Sequence, residues 1–502
     1  GIDMGACEGT ISMEDIVTLT LRVSPENAGF TLPFEGTRSY ELGANVDLYT
    51  LGNGLRFSHW TGDISSNDRG VAITMDRDKT ITAVYIPNLY YVDANSQTIE
   101  PDGKSWESAY PTLQTAVDLS GLDGNGEIWV TAGSYTSLTT PVLAMRESVR
   151  LYGGFAGWET DREQRDWNTN ITTIDGENQR RCIEILKANN SAIDGFYIMN
   201  GQDDLGAGIY TYDVYSCISN CYFKNNHTNN GSWIGGASIS IIGCSPSISN
   251  CIFAENTSDT NGGAISSVFI TTPANPQITN CIFVNNYAVE EGGAIFLGGA
   301  TVTNCIFWNN SANVSPQISL PNAYTTVSFN CIPDIYPGET NINADPLFIN
   351  PDAGDFRLLC TSPCINTGTA ADAPLYDLVG VPRPQGSGWD MGVYEYQDVT
   401  VPTLELNGEA AVTVECGIDV YSDAGLEVYD LCDDETSLPL ILDPTDISVT
   451  IWAAAQAIYT TNLLYIGDDF NTVIGNRIGD YSLVYEAADP FGNIGSAERQ
   501  VS

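Results

Sequence analysis

Basic residues are scarce in this chain of 502 residues, which has 19 Lys and Arg against 63 Asp and Glu and a formal net charge of −44. This imbalance argues against nucleic-acid binding, which requires a basic surface, and against binding to anionic membranes. It leaves many carboxylates available to Ca²⁺. A highly saline habitat would explain the same charge. With 43% hydrophobic residues, the chain can still build packed cores.

Histidines, Cys-x-x-Cys motifs and long apolar runs are also rare or missing. The two histidines, His59 and His227, lie far apart and no Cys-x-x-Cys motif occurs, so we expect neither a zinc site nor a Ser-His-Asp triad. No apolar run reaches the ~20 residues that a membrane-spanning helix needs. The chain begins with Gly1 and has no signal peptide, so we expect it to be processed, cloned as a piece or part of something longer.

Repeated motifs dominate the middle of the sequence. Gly-Gly-Ala recurs at residues 235–237, 262–264 and 292–294. Asn-Cys pairs recur with successive spacings of 30, 30, 24 and 26 residues, at Asn220-Cys221, Asn250-Cys251, Asn280-Cys281, Asn304-Cys305 and Asn330-Cys331. The segments between them alternate polar and apolar residues and show neither a helical period nor a Leu ladder. The pattern predicts an all-β solenoid whose short parallel strands stack ~4.8 Å apart.

Stacking gives each repeated residue type a role. A single coil cannot bury its apolar face alone, so equivalent positions must lie on one another. We expect Cys and Phe to form columns, with the cysteines as free buried thiols. We expect each Asn at a bend to bond its neighbour one coil away. Gly should supply turns where φ is positive or where a side chain would clash.

The beginning of the repeat region has its own motifs, namely Ser105-Trp106, Leu113-Gln114-Thr115-Ala116, Ile128-Trp129-Val130, Gly133-Ser134-Tyr135 and Tyr152-Gly153-Gly154-Phe155. With these features, residues 88–397 resemble a family of bacterial right-handed parallel β-helices found in large secreted and surface proteins. Near the far end, LLCTSPCINTG and then WDMGVYEYQ at residues 389–397 resemble its closing motif. The resemblance implies an N-terminal helical cap at about residues 110–120, in which Leu113, Ala116 and Val117 cover the first coil.

Smaller β modules are expected on either side. Residues 2–8 (IDMGACE) echo the closing WDMGVYE, so residues 1–12 look like the exit strand of a preceding β-helix or a linker. Residues 13–87, with the strings WTGD and MDRDKT, resemble the β-grasp-like internalin B-repeat of bacterial surface proteins. Residues 398–502, with TVECGIDVYSDAGLEVYD and GDYSLVYEAADPFGN, resemble an immunoglobulin-like β-sandwich that serves as a spacer in such proteins.

Several residues are candidates for covalent modification. In the sandwich, Cys416 and Cys432 stand where the family often pairs them, so the resemblance implies a disulfide. Cys360 and Cys364, in CTSPC, could close a tight loop at the exit of the β-helix. Asn-x-Ser/Thr sequons mark candidate glycosylation sites at Asn170, Asn189, Asn226, Asn230, Asn256, Asn309 and Asn313. Chance explains many of these sequons, because most lie in an Asn-rich region.

Many β-helices are polysaccharide hydrolases or lyases, and Gln202-Asp203-Asp204 matches the string that a polygalacturonase-like enzyme would use. The other elements of that enzyme family, a further Asp, a His and an Arg-x-Lys, are missing. A surface so poor in Lys and Arg would also repel polyuronates. We therefore expect Asp203 and Asp204 to be turn residues, and the chain to have no catalytic residues.

Calcium is the one cofactor hypothesis. Acidic and amide side chains recur where domains related to the sandwich cluster acids near one end, at Asp423, Asp430, Asp433, Asp434, Asp489 and Asn493. Hard oxygen ligands on loops suit Ca²⁺. The alternative is that these residues form ordinary turns in an acidic protein.

The sequence favours an extracellular or cell-surface structural protein, a rod-like module of a fibre or filament or of a giant modular surface protein. Its partners would be copies of itself or adjacent modules of the same chain, joined end to end. The alternative is a carbohydrate-binding adhesin in which Tyr210, Tyr212, Tyr215 and Trp233 stack on surface glycans. A polysaccharide hydrolase or lyase is less favoured, since it would need two facing carboxylates beside a basic residue.

Overall fold

The computed structural model describes residues 16–26, 28–52, 55–123, 125–229, 235–268, 275–320, 325–333, 340–398, 401–413, 422–429, 447–453, 456–462, 479–488 and 493–502. The chain divides into two compact units. The first comprises Gly1–Gln277, Val284–Ala300 and Asn309–Thr325, and the second comprises Ile278–Phe283, Thr301–Trp308 and Thr326–Ser502. None of the described helices is long and apolar enough to cross a membrane.

The first unit begins with a small β module. Its strands are β1 (Ile16–Ser24), β2 (Gly29–Leu32), β3 (Gly36–Glu41), β4 (Asn45–Gly52), β5 (Arg56–Gly62), β6 (Gly70–Thr74) and β7 (Lys79–Ile86). They form a four-stranded sheet in the order β3-β1-β7-β5 and an antiparallel sheet in the order β2-β4-β6. Alternate residues of the strands, such as Leu19, Leu48 and Ile81, pack around the fully buried Trp60. This period of two is the pattern of sheets with one buried face.

The strands that follow are short. They are β8 (Asn88–Val92), β9 (Gly126–Thr131), β10 (Gly133–Tyr135), β11 (Leu143–Ala144), β12 (Arg150–Phe155), β13 (Thr172–Asp175), β14 (Ile183–Leu186), β15 (Ser191–Asp194), β16 (Tyr197–Met199), β17 (Gln202–Asp203), β18 (Ile209–Tyr212), β19 (Ser216–Ser219), β20 (Tyr222–Lys224), β21 (His227–Thr228), β22 (Ile239–Ile242), β23 (Ser247–Ser249), β24 (Ile252–Ala254), β25 (Thr257–Ser258), β26 (Ile265–Val268), β27 (Gln277–Thr279), β28 (Ile282–Val284), β29 (Tyr287–Glu291), β30 (Ile295–Leu297), β31 (Ala300–Thr303), β32 (Ile306–Trp308), β33 (Ser311–Val314), β34 (Ile318–Ser319) and β35 (Thr325–Ser328). A helix, α1 (Leu113–Asp123), separates β8 from β9, and a 3₁₀ turn spans Arg162–Gln164.

Four parallel series of strands build a β-helix in the first unit. In hydrogen-bonding order they are β8-β9-β12-β15-β19-β23, β10-β13-β16-β20-β24, β11-β14-β18-β22-β26-β30-β34 and β17-β21-β25-β29-β33. The second unit contains the shorter series β27-β31-β35 and β28-β32. Neighbours within a series come from successive coils, because the chain visits the other series in between. The predicted parallel β-helix is therefore confirmed.

Register places equivalent residues directly on one another. One column, at consecutive partner positions of the series from β14 to β34, consists of Ile183, Ile209, Ile239, Ile265, Ile295 and Ile318. All six isoleucines are buried. Fully burying a side chain of this type is worth ~1.5–3 kcal/mol. Since the neighbours that bury each one come from other coils, the coils stabilise each other.

The helix and its buried face are also as expected. Leu113, Ala116 and Val117 of α1 are all buried. The helix packs on β8, β9 and β11, which belong to the first strands of their series. It thus covers apolar residues that no preceding coil can cover.

Glycines stand where the chain turns into the series from β14 to β34. Gly236, Gly262 and Gly292, from the three Gly-Gly-Ala motifs, have φ of +82°, +65° and +68°. A side chain at Gly292 would also place its Cβ 2.2 Å from the carbonyl oxygen of Ile295. The expectation that Gly supplies turns where φ is positive or where a side chain would clash is confirmed for these glycines.

The second unit ends in small β elements. They comprise the hairpin β36 (Phe348–Asn350) and β37 (Asp355–Leu358), joined by a 3₁₀ turn at Pro351–Ala353, and then β38 (Thr403–Leu406), β39 (Ala411–Val412), β40 (Leu426–Tyr429), β41 (Ser448–Ala453), β42 (Gln456–Asn462), β43 (Tyr481–Ala488) and β44 (Ile494–Val501). A five-stranded sheet, β39-β44-β43-β41-β42, and the pair β38-β40 share one core that includes Leu404, Val449 and Leu483.

Replacing Gly292 with Ala tests the turn geometry. The variant must adopt positive φ and also relieve the contact with Ile295, whereas Gly354→Ala faces positive φ with nothing within 4 Å of its Cβ. We expect Gly292→Ala to lower the free energy of unfolding by about 1–3 kcal/mol more than Gly354→Ala does, in chemical denaturation followed by circular dichroism. Equal losses would mean that close packing at the turn contributes nothing.

Candidate functional site

A ladder of asparagines runs through the interior of the β-helix in the first unit. Asn226, Asn256, Asn286 and Asn310 are buried, each in a successive coil. The side-chain Nδ2 of Asn226, Asn256 and Asn286 donates to Oδ1 of the next member, over 3.0, 2.9 and 2.8 Å. The same oxygens accept the backbone N–H of the preceding member, at 3.1, 3.1 and 3.0 Å. Each step between coils is therefore bonded twice.

Both ends of this ladder find other partners. At one end, the backbone N–H of Gly201 donates to Oδ1 of Asn226 over 2.9 Å. At the other end, Nδ2 of Asn310 donates to Oε1 of Gln317 over 2.8 Å. A buried amide that lacks its partners costs about 1–3 kcal/mol, so the ladder is stable only when every member is present.

Sequence reasoning missed the ladder, although a signal exists. Each member follows a cysteine of the Asn-Cys pairs by five residues, giving Asn-Cys-x₄-Asn in four successive repeats. The spacing stays constant while the distance between repeats changes from 30 to 24 residues. That constancy marks a position fixed within the coil.

A second set of asparagines occupies the bends, as expected. Asn220, Asn250, Asn280 and Asn304 all have positive φ, between 50° and 55°. Asn250 Nδ2 donates to Asn220 Oδ1 over 3.3 Å, and Asn304 Nδ2 donates to Asn280 Oδ1 over 3.2 Å. The prediction that Asn at the bend bonds its neighbour one coil away is confirmed for these two pairs, whereas Nδ2 of Asn280 donates to the carbonyls of Asp390 and Gly392.

Phenylalanines and cysteines form the expected columns. Phe223 and Phe253 stack with ring centroids 4.7 Å apart in the first unit, and Phe283 and Phe307 stack at 4.8 Å in the second. The cysteines that follow the bend asparagines are buried and lie outside any disulfide, namely Cys221 and Cys251 in the first unit and Cys281, Cys305 and Cys331 in the second. The prediction that they are buried thiols is confirmed.

The closing motif WDMGVYE carries a buried ion cluster in the second unit. Arg383 Nη1 donates to Glu395 Oε1 over 2.6 Å, and both side chains are fully buried. Asp390 accepts backbone N–H groups from Asn366 and Tyr396 at 2.7 and 2.6 Å. These bonds hold the motif in place at the end of the solenoid.

The cluster contains more negative than positive charge. Asp377 accepts the N–H groups of Val379, Val381 and Glu395. Burial raises the pKa of its carboxyl. Burial and the neighbouring Glu395 raise the pKa of Asp390 to about 7. Their effect is larger than that of the backbone donors and Arg383, which lower the pKa.

The Gln-Asp-Asp string forms a structural ion pair. Arg181 Nη2 lies 2.7 Å from Asp203 Oδ1, and Arg181 Nη1 lies 3.0 Å from Glu184 Oε1. Asp203 also accepts the backbone N–H of Asp204 over 2.8 Å. An acid–base pair for inverting hydrolysis needs two carboxyl groups ~6.5–9.5 Å apart with space for water, whereas a guanidinium bridges these two.

The three candidate glycan-stacking residues that the structure describes do not continue as an aromatic row into the next coil, where Ser240 and Ile242 stand opposite Tyr210 and Tyr212. Arg181 covers the ring of Tyr210 at 4.9 Å, so the cation occupies a face on which a sugar would stack. Tyr212 is partly exposed, but its partner one coil on is the buried Ile242. Tyr215 is 70% exposed. Trp233 lies outside the described residues.

The calcium candidates remain a prediction. Asp423 accepts a hydrogen bond from the Tyr485 hydroxyl and lies 3.8 Å from Nε of Arg499. Asn493 donates to the backbone carbonyl of Asp398 over 3.0 Å. The other four candidates, Asp430, Asp433, Asp434 and Asp489, fall outside the described part of the chain. Within that part, no group of three or more His, Cys, Asp or Glu side chains could hold a metal ion.

The candidate disulfide between Cys360 and Cys364 is not formed in this structure. Cys364 carries a free, buried thiol, while Cys360 belongs to a disulfide with a different residue. The physical reason is that the thiol of Cys364 turns inward and forms a hydrogen bond with Cys331. Cys416, Cys432 and residues 2–8 lie outside the described residues, so those expectations stay predictions.

Two of the candidate glycosylation sites need correction. Asn226 and Asn256 are fully buried members of the asparagine ladder, and their Nδ2 atoms are hydrogen-bonded inside the fold. A glycan on either nitrogen is incompatible with this structure. Asn309 and Asn313 are exposed, Asn170 and Asn189 are half-buried, and Asn230 lies outside the described residues.

Replacing one ladder residue tests its contribution to stability. Asn256→Ala removes the acceptor of two donors of Asn226 and leaves Asn286 Oδ1 without the donor Nδ2. We expect the free energy of unfolding to fall by about 2–4 kcal/mol, measured by chemical denaturation. The exposed Asn313→Ala is the control, with an expected change within ~0.5 kcal/mol. Similar effects of the two variants would contradict a supporting role of the ladder.

The buried carboxyl of Asp390 predicts a dependence of stability on pH. Its pKa is raised in the folded state to about 7, so the folded state gains stability as pH falls through 7 and loses it as pH rises. Between pH 8.5 and 5.5 we expect a gain on the order of 2 kcal/mol from this group. The Asp390→Asn variant should be less stable overall, because its amide nitrogen faces an N–H donor. In thermal melts between pH 5.5 and 8.5, its stability should change less with pH than that of the wild type. An unchanged slope would refute the assignment.

Comparison with known proteins gives one family. A family described as "Protein of unknown function (DUF1565)" matches residues 100–339, which cover most of the β-helix strands. No curated protein matches the chain. The similarity agrees with a β-helix-like solenoid and brings no activity with it.

Proposed function

We propose that this chain is an extracellular structural protein with no enzymatic activity of its own, a rod-like module of a surface fibre or filament or of a giant modular surface protein. The observation that carries the proposal is the asparagine ladder, in which each step between coils has two buried hydrogen bonds. Side chains that bond one coil to the next resist separation of the coils. Such a solenoid suits a load-bearing role.

The environment of the polar surface residues supports the same proposal. The best candidate catalytic carboxylate, Asp203, is neutralised by Arg181, and Arg181 also covers Tyr210. The net charge of −44 disfavours partners that are themselves acidic, such as polyuronates and nucleic acids. We propose that the partners are adjacent modules of the same chain or further copies joined end to end.

Single-molecule force spectroscopy tests this role. The full chain, tethered at both termini, should unfold in discrete steps at forces well above those that extend an unstructured chain. Asn256→Ala should lower the force of the β-helix steps, while Asn313→Ala leaves it unchanged. Extension of the β-helix at low force, equal in both variants, would overturn the load-bearing proposal.

A glycan panel tests the competing function with the same protein. The structural proposal predicts neither binding nor cleavage of the panel. Glycan binding that is lost in Tyr215→Ala would instead support the adhesin. Release of reducing sugar ends that is lost in Asp203→Asn would support a hydrolase or lyase.

A further inference from the structure

The last cysteine of the column departs from the pattern of the others. The Sγ of Cys221, Cys251, Cys281 and Cys305 each donates to the carbonyl two residues before it, over 3.1–3.3 Å. Cys331 instead donates to the carbonyl of Ala344, over 3.3 Å. Its thiol therefore points away from the local backbone and toward the segment that follows the β-helix.

Cys364 lies in that segment and meets Cys331. The two thiols form a hydrogen bond with each other, and both side chains are fully buried. Their backbones are fixed independently. Cys331 donates its N–H to the carbonyl of Cys305 over 2.9 Å, while the carbonyl of Cys364 accepts from Met391 over 3.0 Å. Contact between the two sulfurs is a necessary condition for a disulfide, and both backbones are already fixed in place around it.

We propose that Cys331 and Cys364 form a disulfide that fastens the segment following the β-helix to its last coil when the chain folds in an oxidising environment. The need for an oxidising environment rests on the proposed extracellular location. In a reducing environment the pair stays as the dithiol.

The oxidant we name is a small-molecule disulfide such as oxidised glutathione. The Cys331 thiolate attacks one sulfur of the oxidant, which gives a mixed disulfide and releases one glutathione thiolate. Cys364, as its thiolate, then displaces the second glutathione. One protein S–S bond forms, the S–S bond of the oxidant breaks, and the two protons from the cysteines end on two glutathione thiols.

Burial determines when this reaction takes place. Both side chains have no exposed surface in the folded chain, so oxidised glutathione cannot reach them there. The mixed disulfide must form before the segment that carries Cys364 closes over the coil. Closing that segment then brings the second thiol to the mixed disulfide.

Peptide mapping of the full chain tests the pair directly. The chain is produced in an oxidising compartment such as a bacterial periplasm, its fold is checked by circular dichroism, and free thiols are alkylated in denaturant. Chymotryptic peptides are then sequenced without reduction. We expect a peptide linked between Cys331 and Cys364, and full alkylation of the column residue Cys305 as the internal control. Alkylation of both Cys331 and Cys364, in a sample whose fold was confirmed before the denaturant was added, would overturn the proposal.

A variant gives a second, independent readout. Unfolding in denaturant with dithiothreitol and refolding in its presence should lower the Tm of the oxidised wild type by about 5–10 °C more than the same treatment lowers the Tm of Cys364→Ser. The variant corrects for the disulfide of Cys360, which the reductant also breaks. Equal shifts would refute the pair. Because the compartment is chosen by the experimenter, this failure would leave the proposed structural role standing, and the force measurement tests that role separately.

Discussion

The side-chain hydrogen bonds between buried asparagines of successive coils are the interaction on which this fold depends. Asn256 shows the arrangement most fully, since its Oδ1 accepts two bonds from Asn226 and its Nδ2 donates to Asn286. An amide buried in this way is stable only if the next coil places the same residue at the same position. That requirement explains why the sequence repeats itself so closely.

The other columns follow from the same register. Once the asparagines align, the isoleucines at positions such as Ile239 and Ile265 fall on one another, and so do the phenylalanines. The glycines at the turns let neighbouring coils approach closely, because a side chain at Gly292 would strike the backbone. The interior is thus used for contact between coils. The polar residues at its margins, Arg181 and Asp203 among them, neutralise one another.

Much of this could be read from the sequence, and the exceptions share a physical cause. The solenoid, the turn glycines and the columns of Cys and Phe follow from repetition, because a repeat must stack on its own kind. The ladder was missed because Asn226 and Asn256 look like ordinary polar residues, and each even lies in a sequon. Only the three-dimensional structure shows that they are buried.

Contacts between distant segments were also beyond the reach of sequence reasoning. Cys360 and Cys364 are close in sequence, yet Cys364 meets Cys331 because the chain folds back on the last coil. The pairing of Arg181 with Asp203 likewise depends on which coil follows which. The closing motif was identified by resemblance, but its buried charges at Asp390 and Glu395 depend on the loop that brings Arg383 beside them.

A double-mutant cycle between Asn256 and Asn286 tests the central claim most directly. The free energy of unfolding is measured for the wild type, Asn256→Ala, Asn286→Ala and the double variant. If the ladder holds the coils together, the two substitutions should be coupled by at least ~1 kcal/mol, because both of them remove the same side-chain hydrogen bond between Asn256 and Asn286. Additive losses, within ~0.5 kcal/mol, would show that each asparagine acts alone and would contradict the account.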